Sequence, residues 1–317
     1  KIDEAVEIVH QQYMMARHLG QDDTLVSNLV GMAIHGINWG DTLQLIQHPD
    51  APNLYWALSD VPRPLVGMRY SMSIERQFLY MQIKPLAEVT EELKPSGYWQ
   101  EFLGRIGYRN AWLFEYSDRH DMNGIFEPKN EEEFRAYMTG WIIASYPGAK
   151  RYLIEDIGMP REQVDKYPSA QVVFLAATRF YEESRDDVFK FTNIPLWQLQ
   201  DDKFRHNIDW DFEKAEKCGP FTSPAKMLLP AIQAVRTAQE RTEQCIELLR
   251  GVEAIRMYAA DHDGTLPDSL DDLDVPVPIE PFTGKPIVYE KIDEKHAYLR
   301  GHDVPGLYYK LNLELVE

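Results

Sequence analysis

The sequence predicts a mainly α-helical protein: an irregular multi-helix domain of helical hairpins over residues 1–220, followed over 221–317 by a long helix and a small antiparallel β-sheet. Three observations predict it. Apolar residues recur at three- and four-residue steps through most of the first 220 positions. No alternating strand pattern interrupts them there. The last third then carries one sustained helical pattern followed by short β-rich runs bounded by turn residues.

Ile2, Val6, Val9, Tyr13 and Ala16 share one face of a first helix, and Gly20 is placed to end it. Asp22, Asp23 and Thr24 offer N-caps for a second helix, whose face carries Leu25, Leu29, Met32, Ala33 and Ile37 and which runs on through Leu43 and Ile46. The two read as an antiparallel hairpin. A short helix at 53–58 is stopped by Val61-Pro62-Arg63-Pro64, and helical pattern resumes over 65–83, with a further helix at 87–93. Asn130 caps a helix that opens on Glu131, Glu132 and Glu133, acids that complement the helix dipole, and Pro147 closes it. Helical segments follow at 149–157, 161–167 and 169–189. No fixed-period repeat is present, so paired helices fit better than a regular solenoid.

Over 224–260, Val235, Ala238, Thr242, Cys245, Leu249, Val252 and Ala259 fall at three- and four-residue steps, with Arg256 as the polar interruption. A helix of that length reaches about 50 Å and needs a partner surface along most of it. His262-Asp263-Gly264 stops it, a short helical stretch follows at 268–273, and strand-like runs follow at 286–289, 297–299 and 306–311.

Composition narrows function more than it names it. The 317 residues carry 33 Lys plus Arg against 51 Asp plus Glu, a net charge of −18, with 44% apolar residues. Such a chain folds, and it repels phosphate backbones and anionic lipid, so nucleic acid is not an expected partner. Cys218 and Cys245 lack metal-site spacing and are read either as one disulfide or as two buried thiols. The chain opens at Lys1 already in helical pattern, which raises the expectation of an upstream export or anchoring segment, the one membrane attachment anticipated.

Two resemblances refine this. The order of long helix, Tyr258-Ala259-Ala260-Asp261-His262-Asp263-Gly264-Thr265-Leu266-Pro267, Leu270 and Leu273, then Pro281-Phe282-Thr283-Gly284-Lys285-Pro286 and Tyr289, resembles the soluble part of type II secretion pseudopilins. The resemblance covers about residues 230–311 and implies a spine helix, a short turn and a small sheet. Glu280 stands where that family usually carries Asp, and the long helix is internal to the chain. More broadly, Thr24-Leu25-Val26 with Leu29-Val30 and Ala33-Ile34, Pro52-Asn53-Leu54-Tyr55-Trp56-Ala57-Leu58, and Val275-Pro276-Val277-Pro278 resemble a group of secreted or membrane-anchored proteins of planctomycete-type bacteria. That likeness implies an extracytoplasmic place of work and brings no activity with it.

Candidate chemistry is sparse. Asp261, Asp263, Asp268 and Asp272 form the densest oxygen-ligand cluster and are the candidate Ca²⁺ ligands, although EF-hand spacing is broken and helix caps plus solvated charge are the better account of them. Residues 118–124 resemble a cation loop, but Arg119 occupies the first ligand position, which favours a surface turn. His10, His18, His35 and His48 lie in the first hairpin without a spacing that sets two on one helical face. Glu75-Arg76 reads as an ion pair tying its helix to a neighbour. Among the aromatics of 98–114 and beyond, Trp99, Trp112, Tyr116 and Trp141 are the candidates to line a ligand groove, while core packing is the commoner fate of such rings. No nucleophile elbow, phosphate-binding glycine loop or dinucleotide motif occurs. The expectation is an extracytoplasmic scaffold or binding component of an envelope-associated assembly, with a protein partner or homo-oligomer and no cofactor beyond that Ca²⁺. The competing expectation is a hydrolase whose carboxylates or histidines converge only on folding.

Overall fold

The computed structural model describes residues 1–114, 128–192, 194–200, 212–301 and 309–315. The described chain is mainly helical with one small antiparallel sheet. It forms two compact units: Lys1–Ile74 with Thr192–Arg205 and Ala234–Glu317, and Glu75–Phe191 with His206–Gln233. The units do not divide at 220/221. The N-terminal hairpin groups instead with most of the long helix and with the sheet.

In the first unit, α1 (Ile2–Leu19) and α2 (Leu25–Ile46) form the expected hairpin, and Thr24 caps α2 by accepting from the Ser27 N–H at 3.2 Å. Gly20 is not a left-handed cap, because its φ is −67°. It is glycine because a Cβ there would sit 2.9 Å from Val66 Cα. Gly31 serves the hairpin in the same way, since its Cβ would lie 2.8 Å from the Ala16 carbonyl and hold the two helices apart. Val9, Tyr13, Ala16, Met32 and Trp39 are buried in the hairpin.

After the short α3 (Tyr55–Ser59), the helix expected over 65–83 is broken into α4 (Ser71–Glu75) and α5 (Phe78–Gln82), the latter in the second unit. Distant side chains hold the backbone of this stretch instead. Glu243 accepts from the Leu65 N–H at 2.8 Å, and Asn28 donates to the Gly67 carbonyl at 3.2 Å.

The second unit is built on α6 (Ser96–Ile106), α7 (Glu131–Arg151), the short α8 (Arg161–Val164) and α9 (Ser169–Lys190), with α10 (Phe212–Cys218). A 3-10 turn, Lys84–Glu88, stands where a helix at 87–93 was expected. Pro147 does not close α7 but lies inside it, and the helix passes into a π turn at Tyr152–Asp156. Packing overrides the break: Ala149, Tyr152 and Leu153 are fully buried, and Gly148 abuts the backbone of Lys217 with no room for a Cβ. Asn130 caps α7, accepting from Glu133 N–H at 2.9 Å, while the Glu133 carboxylate reaches back to Lys129 N–H at 2.9 Å. Asn130→Ala is expected to lower the unfolding free energy by about 1 kcal/mol in a urea titration; an unmoved midpoint would show that the cap carries no stability.

The long helix, α11 (Ser223–Asp261), has 39 residues with Pro230 inside it. Beyond it, Ser269 and Asp272 form a capping box on the turn Leu270–Asp272. The sheet has the order β1 (Val288–Lys291), β2 (His296–Arg300), β3 (Lys310–Glu314), antiparallel throughout. Gly251 is the seat of the sheet on α11, since a Cβ there would run into the side chains of Ile287 and Leu299. Of the expected strand at 306–311, residues 306–308 lie outside the described residues, and β3 continues past it to Glu314. Among the described residues no helix is long and apolar enough to cross a membrane.

Candidate functional site

Two features of the first unit concentrate polar chemistry and accessible space. The first is a row of buried acids on α11. Glu243 and Glu247 both meet Arg63, through Nη1 at 2.9 Å and Nη2 at 2.8 Å. Glu247 also receives Arg250 Nη1 at 2.7 Å, and Arg250 Nε donates to Ser59 Oγ at 3.0 Å. One helical turn further, fully buried Glu253 accepts from Leu54 N–H at 3.1 Å and from Arg256 Nη1 at 2.7 Å. Arg256 Nη2 in turn donates to the Ala51 carbonyl at 3.2 Å. The row therefore fastens 51–65, a stretch with little helix of its own, to α11 by charge-assisted bonds.

Burial raises the carboxyls of Glu247 and Glu253 above the ordinary range, and the neighbouring arginines hold them back. Glu240 is pushed furthest, to about 7, by burial and by the charge of Glu243, against the pull of Arg236 at 3.7 Å. Glu280 is likewise fully buried, yet its oxygens accept from Gln244 Nε2, Phe282 N–H, Thr283 N–H and Thr283 Oγ1 at 2.8, 3.1, 2.8 and 2.8 Å. The carboxylate thereby folds the 280–284 turn around itself and pins it to α11.

The hairpin holds the opposite case. His35 is buried with neither ring nitrogen bonded, 5.6 Å from the Tyr13 ring. Burial, with a contribution from Arg63, pushes the imidazole down to about 4. A neutral imidazole is what such a pocket keeps.

The second feature is a cavity of about 670 Å³ bounded by the C-terminal turn of α2, by α11 and by β3. Its apolar wall includes Leu43, Ile46, Val252, Ile255, Leu266 and Leu313, with Arg256 and His48 supplying polar edges. β3 pairs with β2 on one side and ends the described sheet on the other.

Among the described residues, those expected to bind ligands or metal do not gather. Trp99 is only 3% exposed and stacks on Phe174 at 6.0 Å, with Phe102 at 4.9 Å from both rings and Phe221 beyond. It belongs to the core of the second unit and offers no ring to a ligand. Trp141 is half-buried on α7; Trp112 falls in the 3-10 stretch Tyr108–Phe114, its side chain outside the described residues, as are Tyr116 and the loop 118–124.

The acidic loop is also dispersed. Asp261 ends α11, Asp263 turns the chain with φ 55°, Asp268 pairs with Lys291 at 2.8 Å, and Asp272 accepts from Ser269 N–H at 2.8 Å. Pairing uses the Asp268 carboxylate and capping that of Asp272. Among the described residues no group of three or more His, Cys, Asp or Glu side chains is arranged to hold a metal ion. His10, His18 and His48 are exposed, apart from buried His35. Arg76 pairs with Asp186 at 3.0 Å on the surface. Both cysteines are free and buried, and burial pushes each thiol up to about 12.

Sequence reasoning missed the acid row. Glu240, Glu243 and Glu247 with Arg236 and Arg250 stand at three- and four-residue steps inside a helix already expected to need a partner along its length, and that spacing was the available signal. Comparison of the chain with known protein families, with curated proteins and with solved structures finds no match.

Proposed function

We propose that the protein is a non-enzymatic binding component of an extracytoplasmic, envelope-associated assembly, and that the cavity between α2, α11 and β3 receives an apolar segment of a protein partner. The observation that carries this is the cavity itself: space for several side chains, a wall mostly of aliphatic residues, and an edge strand beside it able to extend its ladder to an added strand. The internal acids support the reading, because Glu243, Glu247 and Glu253 are tied to arginines and to backbone N–H groups that organise the fold. The order of α11, the capped turn at Ser269 and β1–β3 supports treating the carboxy-terminal module as pseudopilin-like. An extracytoplasmic place of work rests on the resemblance of the sequence.

The test is titration of the protein with a polarity-sensitive dye and with extended apolar peptides that compete for it. Saturable binding is expected, weakened at least tenfold by Leu313→Glu at a half-buried cavity position with the far-UV dichroism unchanged. Binding indifferent to Leu313→Glu would sink the proposal. One observation favours the alternative hydrolase: Glu240, held near 7 beside Arg236, has the character of an acid–base group. Hydrolysis of generic ester, glycoside or peptide substrates that disappears in Glu240→Gln would establish that reading instead.

A further inference from the structure

The 22 residues of α2 include a single charged side chain, Asp41, and the helix is apolar on more than the face it gives to α1. Its outer stripe runs Val26, Leu29, Val30, Ala33, Gly36, Ile37 and Gly40, all exposed, with Val26 at 70% and Ile37 at 66%. A contiguous exposed apolar stripe of this kind marks an interaction surface. The two glycines sharpen the point. Gly31, on the inner face, is glycine because α1 lies against it, whereas a Cβ at Gly36 or Gly40 would meet nothing within 4 Å. Each glycine in a helix interior costs about 1 kcal/mol relative to Ala, and no packing among the described residues offsets that cost at 36 and 40.

The order of sizes along the stripe indicates what covers it. The bulky residues occupy its first half and the glycines its second, with Ala33 between. An antiparallel copy centred on Ala33 sets Val26 over Gly40, Val30 over Gly36, Leu29 against Ile37, and Ala33 against Ala33. Every knob then faces a hollow or an apolar partner, which is the self-complementarity a two-fold contact requires. Net charge opposes association of two copies everywhere except at a contact free of charge. A chain of net charge −18 repels its own copy, and this stripe brings no charge into the contact. We propose that the outer face of α2 is a self-association surface on which a second copy of this chain docks antiparallel through Val26, Val30, Gly36 and Gly40. This surface is separate from the cavity and does not depend on the function proposed for it.

Sedimentation velocity from about 1 to about 100 µM, the range in which a contact smaller than a standard interface associates, reads it directly. The expected result is a species of twice the 36.9 kDa chain mass at the upper end. The double variant Gly36→Leu, Gly40→Leu fills the hollows while favouring the helix. It is expected to weaken association at least tenfold without lowering the melting temperature. Ala33→Cys is expected to give a covalent dimer under mild oxidant, with Cys218 and Cys245 shielded by burial. A monomer at every concentration, a dimer unmoved by the double variant, or a dimer that Ala33→Cys fails to cross-link would each overturn the proposal.

Discussion

Arg63→Met is expected to destabilise the protein by about 3 to 5 kcal/mol, the cost of leaving buried carboxylates without their counter-charge. One guanidinium serves both Glu243 and Glu247, whose side chains are 9% and 11% exposed. Without it the two acids face each other across a turn of α11, and only Arg250 remains to offset Glu247. The loss is larger than for a surface ion pair because neither carboxylate can turn to water. Glu243 also holds the Leu65 N–H, so the segment that Arg63 anchors should loosen with it. Urea unfolding gives the magnitude. Combining Arg63→Met with Glu243→Gln and Glu247→Gln should restore part of the stability, since neutral amides need no counter-charge. A loss under about 1 kcal/mol in the single variant would mean that solvent reaches these acids.

Legibility in the sequence followed the range of the interactions. Gly20 marked the end of α1 for a reason that lies with distant Val66, whereas the start of α2 could be read from local residues, because Thr24 caps its own helix three positions on. Asn130 and the acids after it marked the start of α7 for the same reason. The long helix and the order of the three strands were equally visible, from periodicity and from turn residues. What escaped depends on partners far along the chain. The path of 65–67 is held by Glu243, 178 positions from Leu65, and by Asn28, 39 positions from Gly67. Pro147 looked like a helix end, but burial of Ala149, Tyr152 and Leu153 against the rest of the second unit outweighs the lost bond. Trp99 could not be sorted between groove and core until Phe174 was found over its ring. The acid row was half visible: its spacing on α11 is in the sequence, while Arg63, 180 positions from Glu243, is not a partner that any local pattern supplies.

Between about pH 4.5 and 6.5 two opposed titrations are expected to act on the stability of the wild-type protein. Glu240 has its carboxyl raised from 4.5 to about 7, so within that interval the folded state keeps a proton that the unfolded chain has released. Its contribution is fully present below 4.5 and is lost as pH rises through 7. His35 runs the other way. Its imidazole is lowered from 6.5 to about 4, so the unfolded chain takes up a proton that the folded state refuses, and stability falls as pH falls from 6.5. Each slope approaches 1.4 kcal/mol per pH unit, and each full excursion amounts to about 3 kcal/mol. Glu247 and Glu253, also raised by burial, add to the slope of Glu240, whereas Asp186, lowered from 3.8, contributes a slope only below this interval. Comparison of variants isolates the two groups from that background. His35→Phe should gain stability relative to the wild type as pH is lowered from 6.5 to 4.5. Glu240→Gln should lose stability relative to the wild type over the same range, because it no longer gains from protonation. Urea midpoints at pH 4.5, 5.5 and 6.5 decide it: curves for both variants parallel to the wild type would show that neither group is as deeply withdrawn from water as the packing of α2 and α11 requires.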